Sequence, residues 1–203
     1  MIPSDLTLSA TQRNALDFLL SRQSAWPLVA PAPSKAELEL VLATALCAPD
    51  HGQLQPWRFV LIQDDARQAL GEVFVQAARA RDAGSDAERA RAKAMAAPLL
   101  IAMAAQVRKG HKVPESEQVL SAAAAAMNLL NALHILGYGG FWATGLNSHD
   151  ENVKQALGFR QTDTLIGFLY VGTPKESARF VSRRRPAAFV RDWRPEGVVV
   201  SQA

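Results

Sequence analysis

The stretch APDHGQLQPWRFVLI, residues 48–62, joins a stiff polar loop directly to an apolar run. Phe59 to Ile62 has the β-rich composition of a buried strand. Pro49 and Pro56 bracket the residues before it, among them Asp50, His51, Gly52, Gln53 and Gln55. Each proline removes a backbone donor and pushes the preceding residue out of helical geometry. A histidine-bearing loop stiffened on both sides is built like a loop that contacts a ligand.

Working outward, Ser34-x-x-Glu37 makes a capping box. Leu38, Val41, Leu42, Ala45 and Leu46 then form one helical stripe, and the helix stops before Pro49. An earlier helix, from about Ser9 to Arg22, is expected to bury Leu16, Leu19 and Leu20. Downstream lie a helix from about Asp65 to Arg81 and a charged helix opened by Ser85-x-x-Glu88 and running through Ala97. The charges of its segment ERARAK, 88–93, read as a solvated face. Leu99–Ala105 is the next strand, followed by the longest helix, about Glu115 to Leu136, which Gly137 ends. Phe141–Gly145 and Leu165–Gly172 are two more strands, with a short Asp150-capped helix between them. Four strands among about six helices give α+β or α/β, and the small residues Ala122–Ala126 suggest an interior helix.

Composition narrows the function. With 203 residues, 49% hydrophobic and 20% charged, the chain is expected to form one domain, residues 1–203, with its own core. A net charge of +3 does not suggest nucleic-acid binding. Cys47 is the single cysteine, so neither an internal disulfide nor a multi-cysteine metal site is available. The histidines His51, His111, His134 and His149 show no helical metal-pair spacing, so no metal is expected. The start MIPSDLTLSATQRN lacks a basic segment followed by an apolar one, so the cytoplasm is the expected compartment. Ser121–Leu136 is interrupted by Asn128, Asn131 and His134 and reads as too short to span a bilayer. There is no Gly-x-Ser-x-Gly, P-loop or His-Glu-x-x-His, and Gly137-x-Gly139-Gly140 sits at a helix-to-strand turn, the wrong context for a dinucleotide fingerprint.

Two basic clusters remain. Arg22-Gln23-Ser24 places a guanidinium and a hydroxyl close together, and Arg183-Arg184-Arg185 lies in the tail. Each alone fits surface charge; together they are suited to hold one phosphate from two directions. The tail from about residue 173 has no helical period, yet carries Phe180, Phe189, Trp193 and three final valines. It is expected to pack on a partner subunit.

In this order these pieces resemble the nitroreductase family of flavin enzymes, and most closely its short bacterial NAD(P)H nitroreductase branch. The matching residues are Ser21-Arg22-Gln23-Ser24, Ala48-Pro49-Asp50-His51, Gln55-Pro56-Trp57-Arg58-Phe59 and Gly139-Gly140-Phe141-Trp142, with Gly167 to Pro174 and His111-Lys112-Val113-Pro114 beside them. The likeness spans about residues 12–192. It implies an α+β fold with a central, mostly antiparallel sheet flanked by helices, in an intertwined homodimer that binds FMN at the subunit interface. Arg22 and Ser24 match phosphate ligands, with Gln23 between them replacing a more usual basic residue. Cys47 and His51 match contacts from the partner chain, and Gln53 a hydrogen bond to the ring. Trp142, Ala143 and Thr144 match the segment lining the cofactor, and Arg183 and Arg185 the cations of the tail. Trp26 stands where many members carry a cation near the flavin, and Cys47 where the short branch commonly has Arg.

The implied activity is hydride uptake from NAD(P)H and reduction of nitroaromatic, quinone or similar electron-poor acceptors by a ping-pong mechanism. No side-chain acid or base is required by it. An FMN carrier or sensor without fast turnover is the alternative that Trp26 and Cys47 favour; a cofactor-free helical interaction module is a further one.

Overall fold

Leu99–Ala105 forms a strand buried along its whole length, and the fold is organised on its two faces. The computed structural model describes residues 6–176 and 181–193. In chain order these contain α1 (Ala10–Ser21), β1 (Leu28–Val29), α2 (Lys35–Ala45), β2 (Trp57–Gln63), α3 (Asp65–Arg81) and α4 (Ala87–Met95). There follow β3 (Leu99–Ala105), α5 (Glu115–Ile135), β4 (Gly139–Ala143), α6 (Glu151–Ala156) and β5 (Thr164–Pro174).

All strand pairings are antiparallel. β3 lies between β2 and β5, and β5 also pairs with β4 over 168–172 and with β1 over 173–174. Alternation along β3 sorts two cores. Leu99, Ile101, Met103 and Ala105 join residues of α2 and α5 on one face. Leu100, Ala102 and Ala104 join Leu70 and Phe74 of α3, Ala94 of α4 and Val153 of α6 on the other. Antiparallel strands between two helical layers make the α+β class expected from the sequence.

Several local expectations need correction. β1 is an additional strand, held by the long β5 rather than by any signal of its own. β4 begins at Gly139 and ends at Ala143, because Gly145 turns away with φ of 60°. The cap of α4 is Asp86, whose carboxylate accepts from the Arg89 N–H; the Ser85 hydroxyl donates to the Ala78 carbonyl at the end of α3 instead. α5 is buried along one side only, and Leu120, Met127 and Ile135 remain exposed, so it is not an enclosed helix. Its bounds are close to those expected, but the segment Ser121–Leu136, read as too short to span a bilayer, belongs to a helix of 21 residues. Among the described residues it is the one helix long and apolar enough to cross a membrane, and half of that window is buried in the core. Helix α1 buries nothing: Leu16, Leu19 and Leu20 are 39%, 53% and 49% exposed. Phe180 and the final valines lie outside the described residues; Phe189 and Trp193 are exposed.

Candidate active site

Arg22 follows α1 directly, where the helix ends by donating the Arg22 N–H to the Phe18 carbonyl. The chain then runs to β4, with the Ala25 N–H on the Gly140 carbonyl at 3.3 Å. Gly139 permits this approach, since a Cβ there would come within 2.5 Å of Leu28 and 2.8 Å of the Ala25 methyl. The segment 22–26 is thereby fixed across the end of the sheet.

Arg183 arrives from 161 residues away and donates to the Arg22 carbonyl. Burial, and next the Arg183 charge, lower the pKa of the Arg22 guanidinium. Two cations held together repel one another, and an anion between them reverses the sign of that interaction. His134 completes the group. Its Nε2 lies 2.9 Å from the Ser21 hydroxyl, and burial together with the Arg22 charge lowers its pKa, which favours neutral imidazole. His134, Gln23, Ser24 and Trp26 line a cavity of ≈ 420 Å³, to which Glu176 also contributes.

A second cavity, of ≈ 490 Å³, shares Trp26 with the first. The Trp26 indole packs against Phe141 at 5.3 Å and Tyr170 at 5.9 Å between ring centroids. Phe141, Tyr170, Ala143 and Thr144 line the same space. Trp142 points to the opposite face of the sheet, where its indole N–H donates to the Ile166 carbonyl at 3.0 Å. Of the three predicted strand residues, then, Ala143 and Thr144 face the cavity and Trp142 packs behind it.

The loop before β2 is rigid for a reason the prolines only partly supply. Asp50 accepts from the Leu54 N–H at 3.1 Å and the Gln55 N–H at 2.7 Å, closing a tight turn. Gln53 and Gln55 both take positive φ, 51° and 47°, a conformation that costs energy for residues with a Cβ. The turn is tied to α5 by His51 Nδ1 on Glu117, 2.6 Å, and by the Ser121 hydroxyl on the Pro49 carbonyl, 2.7 Å. Cys47, His51 and Gln53 are exposed and line neither cavity. Arg185 is exposed before a short 3-10 turn, Pro186–Ala188. The structure therefore brings Arg183 to Arg22, puts Gln23 and Ser24 on the first cavity and Ala143 and Thr144 on the adjoining one, and leaves the 47–53 loop and Arg185 apart; neither Arg22 nor Arg183 lines either cavity. Phe141, Tyr170 and His134 were not expected there. Phe141 and Tyr170 have a legible signal in their strand alternation, whereas His134 has none. Among the described residues no cluster suited to a metal ion occurs.

This architecture belongs to the nitroreductase-like α+β class. The "Nitroreductase-like Family Protein" of Bacillus cereus superposes with a TM-score of 0.78 at 17% identity, covering 96% of this chain and all of that one. The chain belongs to the nitroreductase family, whose model matches residues 19–173. "Putative NAD(P)H nitroreductase YdjA" of Escherichia coli K12 is 39% identical over 168 residues, 81% of this chain and 91% of that protein. A "putative nitroreductase in complex with fmn" from Desulfovibrio desulfuricans shares the fold at a TM-score of 0.70 and 20% identity, covering 93% of this chain and 100% of that one.

Proposed function

We propose that this chain is an FMN-dependent oxidoreductase that takes hydride from NAD(P)H and passes electrons to an electron-poor acceptor such as a nitroaromatic or a quinone. The observation that carries this reading is the contact of Arg183 with Arg22, directly before Gln23 and Ser24, which line the first cavity. Two guanidiniums and a hydroxyl are the donor set a phosphate monoester dianion requires, and the mutual repulsion of the cations is relieved by it. Gln23 adds neutral donors beside them. The family membership and the FMN complex of the D. desulfuricans protein support the same cofactor.

When bound, the flavin supplies the redox chemistry, two electrons in from NAD(P)H and two out to the acceptor. The residues of this chain bind and orient. Arg22, Ser24 and Arg183 anchor the phosphate, while Trp26, Ala143 and Thr144 border the ring and the rear-packed Trp142 fixes their strand. Cys47, His51 and Gln53 serve the flavin of a partner subunit, which accounts for a loop so firmly held and yet turned away from its own cavities. No side chain needs to act as acid or base.

A homodimer is part of this proposal, with residues 1–203 one FMN-binding domain and the segment from about 173 lying on the partner. Supporting it are the unburied leucines of α1 and the exposed Phe189, Val190 and Trp193. An obligate interface buries on the order of 2,000–5,000 Å². Sedimentation velocity is expected to give a dimer at micromolar concentration, and a stable monomer that keeps its FMN would contradict this arrangement. The cytoplasm, where NAD(P)H is available, is the compartment the reading implies.

One flavin face has to serve both substrates in turn, so initial-rate plots at several acceptor concentrations are expected to run parallel. Intersecting lines would mean a ternary complex and separate sites. Stopped-flow mixing with NADPH separates enzyme from carrier, since bleaching of the flavin in under about a second is the enzyme's behaviour.

A further inference from the structure

Helix α4 carries Arg89, Arg91 and Lys93, and the three cations are in different situations. Arg91 is committed to Glu72 and Glu88. Arg89 and Lys93, one turn apart, have no side-chain hydrogen bond or ion pair among the described residues, and both line the ≈ 490 Å³ cavity. Among the described residues no carboxylate lines that cavity; its walls are chiefly Trp26, Phe74, Phe141, Phe168 and Tyr170.

A solvated helix face is the ordinary account of exposed cations, and it covers Lys93, which sits in the last turn where the helix dipole favours positive charge. It does not cover Arg89. That residue is in the first turn, where the dipole disfavours a cation; Asp86 and Glu88 lie in the same turn, but Asp86 accepts from the Arg89 backbone N–H and Glu88 pairs with Arg91, and neither pairs with the Arg89 guanidinium. An anion in the cavity would supply the missing partner to both. The volume lies within the range of small-molecule sites, and the aromatic walls suit a planar ring.

We infer that this cavity takes acidic aromatic acceptors, a nitro- or quinone-bearing ring whose carboxylate or sulfonate meets Arg89 and Lys93, so that these two residues set acceptor specificity. The inference rests on the flavin reading above. For a nitro acid the step is balanced: hydride from NAD(P)H brings two electrons and one proton, and solvent brings a second proton. The nitro group loses one oxygen as water and becomes nitroso, and NAD(P)H becomes NAD(P)⁺.

The test compares 4-nitrobenzoate with its neutral analogue 4-nitrobenzamide on the FMN-loaded protein. The ratio of their kcat/KM values is expected to fall about three- to thirtyfold in the double variant Arg89→Gln/Lys93→Gln, the range for two solvent-exposed charge contacts. Lys109→Gln, an exposed cation between β3 and α5 that lines neither cavity, keeps the parental ratio. In the parent the ratio also falls with added salt, as the screening length shortens from about 30 Å at 0.01 M to about 3 Å at 1 M. Calorimetry of 4-nitrobenzoate without NAD(P)H should show the same loss of affinity with no turnover. An unchanged ratio overturns the inference, and so does a raised KM for NADPH at an unchanged ratio, which would assign the cations to nucleotide phosphates. A protein that takes up no FMN fails the functional proposal instead. Calorimetry on the flavin-free chain still decides whether the acid binds through Arg89 and Lys93.

Discussion

Arg22→Ala is expected to weaken FMN binding by about one to three orders of magnitude while leaving riboflavin affinity near the parental value. The substitution removes charge-assisted hydrogen bonds to a dianion, each worth roughly 1.5–3 kcal/mol, and about 1.4 kcal/mol is tenfold in affinity. Riboflavin lacks the phosphate, so it reports damage to the rest of the site and nothing else. Arg183→Ala should act in the same direction but less, because its side chain is exposed and solvent screens it. Fluorescence titration of both ligands against the three proteins measures all of this. An Arg22→Ala protein that holds FMN as tightly as the parent would remove the phosphate assignment and, with it, the main support for the flavin reading.

The second large effect is on stability. Gly167 sits in β5 with φ of 136°, where the register of the β3 pairing shifts between Met103 and Ala104. A Cβ there would lie 2.5 Å from the Trp142 Nε1 and 2.7 Å from the Ala143 carbonyl oxygen. The first neighbour is held by its bond to Ile166, and the second is backbone, so neither can yield cheaply. Gly167→Ala is expected to cost about 3–5 kcal/mol, combining a disfavoured backbone with overpacking. For a chain of this size that lowers Tm by roughly 6–20 °C. Urea unfolding gives the free energy directly. A loss under about 1 kcal/mol would mean that β4 shifts freely against β5, and that the wall bearing Ala143 and Thr144 is not rigid.

Much of this was legible from residues alone, for definite reasons. α2 was readable because Ser34 and Glu37 cap it reciprocally and its stripe has an unbroken period. The stiffened loop was readable from its prolines and the strand after it from its β-rich apolar run, although Asp50, which closes the turn, needed coordinates to find its partners. The hydrophobic period of α1 was real, but periodicity cannot say whether the surface that will cover it belongs to the same chain. Ser85 and Asp86 are both good caps, and only the position of the Ala78 carbonyl decides between them. Arg22 and Ser24 stood out as a motif. The approach of Arg183 to Arg22 was suggested by the two basic clusters, whereas the placing of Arg89 on an aromatic cavity depends on tertiary folding, which local spacing does not encode.

The long strand β5 has a consequence for how the protein is made. Both cavity walls are registered on it: β4 through 168–172, and the segment that follows Trp26 through 173–174. A ribosome-bound chain that has not yet extruded Thr164 can pair β2 with β3 and form the helices between them. It has nothing on which to seat β4 or β1, so Trp26, Phe141 and Ala143 remain without a common frame. The pairing of β1 with β5 joins residues far apart in sequence and is slow to close. The two cavities therefore take shape late in biosynthesis, after β5 has emerged, and Arg183 follows it.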